Sequence, residues 1–474
     1  MVNKGKKDYS LGYVAFLSVV AAIGGVLFGY DTAVISGTIK SVTAQFALDS
    51  MSQGWYVGCA LIGSIIGVAV AGVMSDSLGR KKTMLIAAVL FTVSAAGCAF
   101  SGSLNALVAY RIIGGLGIGI VSIVSPIYIS EVSPADKRGM MVSLYQLAVT
   151  VGFLLAYLVN YIIVRGAEAS GGAYSNDTAN WLFNAELWRG MLGAETVPAL
   201  LFFLVIFFIP ESPRWLIVKG RYIEASVVLN RVYESQDKVN EEMECTEASV
   251  KGDVKGKWKD LLRPGILKAV IIGSAIAILG QFMGVNAVLY YGPEIFEKAG
   301  LSSGDSMFST VLVGIVNMLT TVIAVFIIDK VGRKKLIYWG VSGMILSLLM
   351  ISLYFFCGPA LGLGNAFMMV FFLLYVFCCA ISISAVVFVL LSEMYPNSVR
   401  GRAMSVAGFA LWVGTYLIGQ LTPWMIETLT PAGTFLFFAA MCVPYMLIMW
   451  KLVPETAGMS LEEIESWWAS GKQK

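Results

Sequence analysis

Histidine is absent from all 474 residues. That excludes Ser-His-Asp and Cys-His nucleophilic catalysis, histidine-bound metals and histidine proton relays. Charge is scarce as well. Asp, Glu, Lys and Arg make up 13% of the chain, against about 25% in an ordinary soluble domain. Net charge is only +3, which makes nucleic acid an unfitting partner. The seven cysteines (Cys59, Cys98, Cys245, Cys357, Cys378, Cys379 and Cys442) lack metal-ligand spacing, and most lie in apolar runs. They read as small hydrophobes. No metal, no cofactor and no catalytic residue is expected.

Apolar residues fill the space that charge leaves. They make up 58% of the chain, and mean hydropathy is +0.78. Uncharged runs such as 83–100 and 336–356 reach the roughly 18 to 20 residues that cross a bilayer. Apolar windows lie near 12–37, 53–74, 83–101, 106–130, 139–164, 186–209, 266–292, 307–328, 335–356, 365–392, 402–426 and 432–453. The expected fold is an all-α membrane protein of twelve transmembrane helices. The N-terminal MVNKGKKDYS superficially suggests a signal peptide, but the apolar run behind it is too long for one, so a retained first span is expected. Lys and Arg cluster at every second connection, which places both termini in the cytoplasm by the positive-inside rule. The polar stretch 210–265, with QDKVNEEMECTEASVKGDVKGKWKD, reads as a cytoplasmic linker with short helices. It separates a six-helix bundle at 1–209 from another at 266–453, and 454–474 is a cytoplasmic tail. The outer loop at 165–190 carries a glycosylation sequon at Asn176 and reads as polar surface.

The two halves repeat. GVMSDSLGRKK (72–82) is echoed by FIIDKVGRKK (326–335), and Asp76 and Asp329 lie 253 residues apart. YISEVSPADKRG (128–139) is echoed by LLSEMYPNSVRG (390–401), with Glu131 and Glu393 262 apart. PESPRW (210–215) is echoed by PET (454–456). Parallel six-span repeats place a substrate site at their interface near the midplane. Asp76, Arg80, Glu131 and Arg138, matched by Asp329, Arg333, Glu393 and Arg400, are expected to form gating charge networks at the cytoplasmic face.

Inside the spans, Asp31, Arg111 and Glu195 stand out. Counted at about 1.5 Å per residue, all three lie roughly 8–14 Å below the outer boundary. Unpaired, each costs about 3 kcal/mol or more at a helix centre, so a salt-bridged cluster is expected. A carboxylate beside an arginine is also breakable by one proton. A second set is polar but neutral. Gln146 lies about 12 Å inside helix five, and Gln281, Asn286, Asn317 and Trp412 fall near mid-membrane, with Tyr290 and Tyr291 further out. Singly, any of these amides serves as an interhelical hydrogen bond.

With these motifs the chain resembles the sugar porter family of the major facilitator superfamily, over nearly its whole length. The resemblance rests on GVMSDSLGRKK, YRIIGGLGIG (110–119), PESPRWL (210–216), QFMGVNAVLYYGPEIF (281–296), DKVGRKK (329–335) and VPETAGMSLEEIE (453–465). Within that family it is most similar to bacterial proton-coupled xylose symporters, then to facilitative glucose carriers. The resemblance implies the major facilitator fold, two pseudo-repeat bundles of six helices. It also implies import of a monosaccharide with a proton by alternating access, in the plasma (inner) membrane, by a monomer surrounded by lipid bilayer. In the symporters the aspartate matching Asp31 is the coupling residue, whereas the facilitative carriers have a neutral side chain there. Facilitative uniport of a sugar or polyol is the alternative. The sugar ligands carried over are Gln146, Gln281, Asn286, Tyr290, Tyr291, Asn317, Phe388 and Trp412. Several positions depart from the family's pattern. A glutamine pair is reduced to Gly280-Gln281, a Gly-Pro becomes Ser384-Ala385, and a tryptophan becomes Phe388. Leu411 and Phe153 stand where polar residues are usual. A less polar pocket and the loss of a proline-made hinge in helix ten are the expected consequences.

Overall fold

The computed structural model describes residues 9–170, 176–252, 258–358, 360–396 and 399–455, without the side chains of 249–252 and 329. Twelve helices among them are long and apolar enough to cross a membrane. They are α1 (Leu11–Phe46), α2 (Ser50–Leu78), α3 (Arg80–Phe100), α4 (Leu104–Val132), α5 (Arg138–Ala169), α6 (Leu187–Phe208), α7 (Pro264–Lys298), α8 (Ser303–Ile328), α9 (Arg333–Cys357), α10 (Asn365–Met394), α11 (Arg400–Thr428) and α12 (Thr430–Lys451). The described residues hold one isolated bridge, Tyr9 to Tyr233, and no strand. α1 runs 36 residues, well past the apolar window at 12–37, because Gly37 to Phe46 contains no helix breaker after the glycine.

Helix ends follow local chemistry. Ser103 and Ser302 accept from backbone amides three residues on, capping α4 and α8, and Asp49 caps α2 in the same way. The glycine of each GRKK stretch, Gly79 and Gly332, has φ of +97° and +93°. This left-handed backbone favours glycine and turns the chain sharply from α2 into α3 and from α8 into α9. Between α6 and α7, helices Pro213–Val218, Tyr222–Val232 and Gln236–Gly252 pack around Trp215, Leu216, Ile217, Ala225, Val228 and Met243.

Three spans are interrupted. α6 has a turn at Glu195, where Pro198 has no N–H to return to the Ala194 carbonyl. α7 breaks at Met283-Gly284, where Gly284 has φ +90°. The Tyr375 hydroxyl donates to the Met283 carbonyl freed by that break, at 2.7 Å. α10 contains a π-helical turn at Ala380–Ser384, and Ser382 Oγ donates to the Cys378 carbonyl at 2.6 Å.

The chain divides into two compact units. One holds Met1–Thr32, Ile62–Phe153 and Leu192–Val254; the other holds Ala33–Leu61, Leu154–Met191 and Lys255–Lys474. In the first, α1 meets α5 backbone to backbone, since a Cβ on Gly29 would collide with the Val149 carbonyl and one on Gly152 with the Val26 carbonyl. In the second, α9 lies against α10 and α12, and a Cβ on its Gly340 would collide with Ser382 of the π turn.

Candidate functional site

The first unit contains the buried charges. Asp31 is 1% exposed, Arg111 2% and Glu195 2%. Arg111 Nη1 pairs with Asp31 Oδ1 and reaches the Asp31 backbone carbonyl at 3.3 Å. Glu195, at the turn in α6, is near enough to both groups to interact with their charges. Its Oε1 and Asp31 Oδ2 are buried without a hydrogen-bond partner in the structure. Asp31 of α1 and Arg111 of α4 therefore form a buried pair, with Glu195 of α6 close to both. Two carboxylates share one guanidinium, so the cluster is charge-imbalanced by one unit when both acids are ionised.

The same unit contains the first GRKK network. Arg80 clasps Glu131 with two parallel bonds of 2.9 Å and reaches Asp76 at 3.3 Å. Ser212 Oγ donates to Glu131 Oε2 at 2.5 Å, and Trp215 Nε1 to the Asp76 carbonyl at 3.0 Å. Glu211 accepts from the Arg80 and Lys81 amides at 2.8 and 3.1 Å. A carboxylate there satisfies orphan donors at the positive end of α3. Arg138 is not Glu131's partner: it is exposed, and its Nε donates to the Ser130 carbonyl at 3.0 Å. Gln146 is exposed, with no hydrogen bond from its amide among the described residues.

The second unit repeats the network. Arg333 Nη2 donates to Glu393 at 2.9 Å, and Glu455 accepts from the Arg333 and Lys334 amides at 3.2 and 3.1 Å. Arg400 Nε donates to the Tyr395 carbonyl at 3.3 Å. The side chain of Asp329 lies outside the described residues. Glu211 and Glu455 are the residues that sequence reasoning missed here. Their signal was in view, because PES and PET recur in the same order as the two GRKK stretches.

The rest of the polar neutral set belongs to the second unit. The break in α7 places Gln281 just before it and Asn286 just after, and Asn286 Nδ2 donates to Gln281 Oε1 at 2.6 Å. Thr415 of α11, not anticipated from the sequence, approaches the same oxygen at 3.1 Å. Tyr291 is fully buried, and its hydroxyl donates to the Gly419 carbonyl at 2.6 Å, bracing α7 on α11. Tyr290 is buried beside Gly419. Asn317 is half-buried in α8, Trp412 half-buried in α11, and Phe388 is 53% exposed on α10. The hinge expected to be lost in α10 with Gly-Pro has a substitute. The π turn ends at Ser384, one residue before Ala385, and such insertions loosen a helix without proline.

Polar ties at the end of this unit away from Arg333 join α1, α2 and α5 to α7 and α8. Lys40 pairs with Glu297 at 2.8 Å, Gln53 donates to Glu294 at 2.8 Å, and Arg165 reaches Asp305 at 3.4 Å. In the α5–α6 loop Asn176 caps a short helix through Thr178 N. Arg189 is stacked between Trp181 and Trp188 and paired with Glu186 at 2.6 Å.

The sequence profile of the family described as sugar (and other) transporter matches residues 17–468. The chain is 38% identical over 462 residues to an arabinose-proton symporter of Bacillus subtilis, covering 98% of this chain and 96% of that one. It is 36% identical over 499 residues to a D-xylose-proton symporter of Escherichia coli K12, covering 98% of both. The inward-open structure of the xylose transporter XylE from E. coli superposes with a TM-score of 0.82 at 34% identity, over 96% of this chain and 100% of that one. This twelve-helix, multi-pass membrane protein has the major facilitator fold and belongs to the sugar (and other) transporter family.

Proposed function

We propose that the protein is a secondary transporter that imports a monosaccharide, pentose or hexose, together with a proton. The buried Asp31–Arg111 pair carries this reading, in a chain similar along nearly all its length to symporters named for arabinose and xylose. Ionised, Asp31 holds Arg111; with a proton bound it releases the guanidinium, so the packing of α1 on α4 depends on proton occupancy. The sugar contacts are assigned to Gln146 in the first repeat and to Gln281, Asn286, Tyr290, Tyr291, Asn317, Phe388 and Trp412 in the second. Asp76, Arg80, Glu131, Arg138, Asp329, Arg333, Glu393 and Arg400 serve the cytoplasmic gate. The working bodies are 1–209 and 266–453, joined by 210–265, with both termini in the cytoplasm and a monomer as the functional unit in the plasma (inner) membrane. The chain does no covalent chemistry on its substrate.

The test uses purified full-length protein in proteoliposomes. Labelled D-xylose, L-arabinose and D-glucose are offered with and without an inwardly directed pH gradient. Accumulation above equilibrium under the gradient, for at least one sugar, supports symport. Equilibration at the same level with or without the gradient refutes symport and leaves facilitative uniport.

A further inference from the structure

Gln281 is positioned with its side-chain carbonyl already engaged from two sides. Asn286 Nδ2 donates to Oε1 at 2.6 Å across the break in α7. Thr415 Oγ1 stands 3.1 Å from the same oxygen, and 2.9 Å from the Leu411 carbonyl one turn back along its own helix. Returning to the carbonyl four residues earlier is ordinary for a helical threonine; reaching a glutamine on another span is not. α11 comes this close because Gly414 faces Gln281, where an added Cβ would stand 3.2 Å from Gln281 Cβ. Thr415 itself is buried.

A carboxamide oxygen has two lone pairs and its nitrogen two N–H groups. Asn286 takes one lone pair, and the single Thr415 proton, shared with the Leu411 carbonyl, faces the other, so Gln281 is left to present its N–H groups. The residue before it is Gly280, so no second amide stands beside it to restore an acceptor. That glycine is not a steric necessity: a Cβ there would meet Ile383 and Tyr445 at 3.6 and 3.9 Å, ordinary contacts. The acceptor of the set is Asn286 Oδ1, since Asn286 spends an N–H on Gln281.

We propose that Thr415 is a positioning residue of the sugar site, which together with Asn286 fixes Gln281 as a donor-only contact, so that the substrate oxygen facing Gln281 is selected as an acceptor. The proposal rests on the transport reading above and adds a specific polarity to it. A hydroxyl is then replaceable at that position by fluorine, which accepts weakly and donates nothing, but not by hydrogen.

The experiment is counterflow in proteoliposomes, with labelled D-xylose competed by its monodeoxy and monodeoxyfluoro analogues (D-glucose and its analogues if glucose is the sugar carried). Gln281→Ala identifies the position read, as the one where discrimination between hydroxyl and deoxy sugar disappears. There, wild-type protein is expected to bind the fluoro analogue about tenfold better than the deoxy analogue, the size of one modest hydrogen bond. Thr415→Val is expected to raise KM about tenfold with kcat within twofold, and Thr415→Ser to restore it. In the Gln281→Ala background, Thr415→Val adds less than about twofold, because its effect passes through Gln281. Equal rejection of fluoro and deoxy analogues by wild type at every hydroxyl position overturns the donor-only assignment, and needs no variant to fold. Equal effects of Thr415→Val in both backgrounds overturn the role of Thr415 alone. If Gln281→Ala leaves KM for every sugar unchanged, the sugar-site reading falls together with the proposal.

Discussion

Asp31→Asn is expected to separate coupling from transport. The side chain is 1% exposed and paired with an arginine that is 2% exposed. Asparagine keeps a carbonyl oxygen facing Arg111 but loses the charge. The bond to asparagine still involves the charged guanidinium and so stays within the roughly 1.5–3 kcal/mol of bonds to charged groups, but it loses the charge–charge attraction of the pair. Glu195, with an unpartnered buried oxygen, is the remaining carboxyl beside Arg111 and balances it when ionised. Adding Glu195→Gln removes the last anion and leaves a buried cation, worth about 3–5 kcal/mol of stability. The double variant should therefore lose much more than the sum of the singles. On the transport side, one proton per sugar under a pH gradient of one unit and a potential of 100 mV supplies about 3.7 kcal/mol. That is an accumulation ceiling of about 500-fold. Asp31→Asn should reduce accumulation to unity while labelled sugar still exchanges across the membrane. Proteoliposomes with an imposed gradient measure the first and counterflow the second. Accumulation above unity in Asp31→Asn, with exchange intact, would refute the assignment of coupling to this pair.

Further outcomes follow from packing and from pH. Gly29→Ala drives a methyl group into the Val149 carbonyl of α5, a backbone atom that cannot rotate away. It should cost about 1–3 kcal/mol or more, whereas Gly139→Ala, with nothing within 4 Å, should be neutral or mildly stabilising; thermal unfolding in detergent compares the two. Burial raises the Glu186 carboxyl, but bonds from Gln45, Arg189 and Trp181 together hold it below its ordinary 4.5. A depressed folded value means its contribution is complete above pH 4.5 and lost as pH falls below it. Tryptophan fluorescence from Trp181 and Trp188 should titrate in that acid window, and Glu186→Gln should abolish the change; a wild-type signal flat from pH 6 to about 3 goes against the anchor.

Span number and the chemistry of the buried cluster were legible because each depends on one-dimensional information. Hydropathy windows locate helices, and counting residues from a shared boundary puts Asp31, Arg111 and Glu195 at one depth. The three helix interruptions were only half legible. Gly284 and Pro198 are visible breakers, but the π turn at Ala380–Ser384 has neither glycine nor proline within it. An inserted residue in a helix is decided by what packs around it, here Gly340 and Ser382, and a single chain read in order does not show that. Thr415 was invisible for a related reason. Threonine at mid-helix has an ordinary partner in its own i−4 carbonyl, so only the closeness of α11 to α7 reveals a second one.

The two ends of the second unit differ in how they are built. At the Arg333 end, the main bonds have repeat counterparts in the first unit: Arg333–Glu393 mirrors Arg80–Glu131, and Glu455 on the α9 amides mirrors Glu211 on those of α3. At the opposite end, Lys40–Glu297, Gln53–Glu294 and Arg165–Asp305 have no such counterparts. Shifting Gln53 by the 253 residues that separate Asp76 from Asp329 lands on Ser306, and shifting Arg165 by the 262 of the second echo lands on Glu427. Exposed pairs of this kind contribute about 0–1 kcal/mol each, and Lys40 and Asp305 are largely exposed. The duplicated end is thus held by part-buried ion pairs and backbone-capping bonds, and the unduplicated end by two exposed ion pairs and one part-buried amide–carboxylate bond. A carrier that must open at each end in turn needs such weak ties where they form and break in every cycle. The repeat therefore records the helix-to-helix frame within each half, and the single, unmatched charges record where the two repeats meet within this unit.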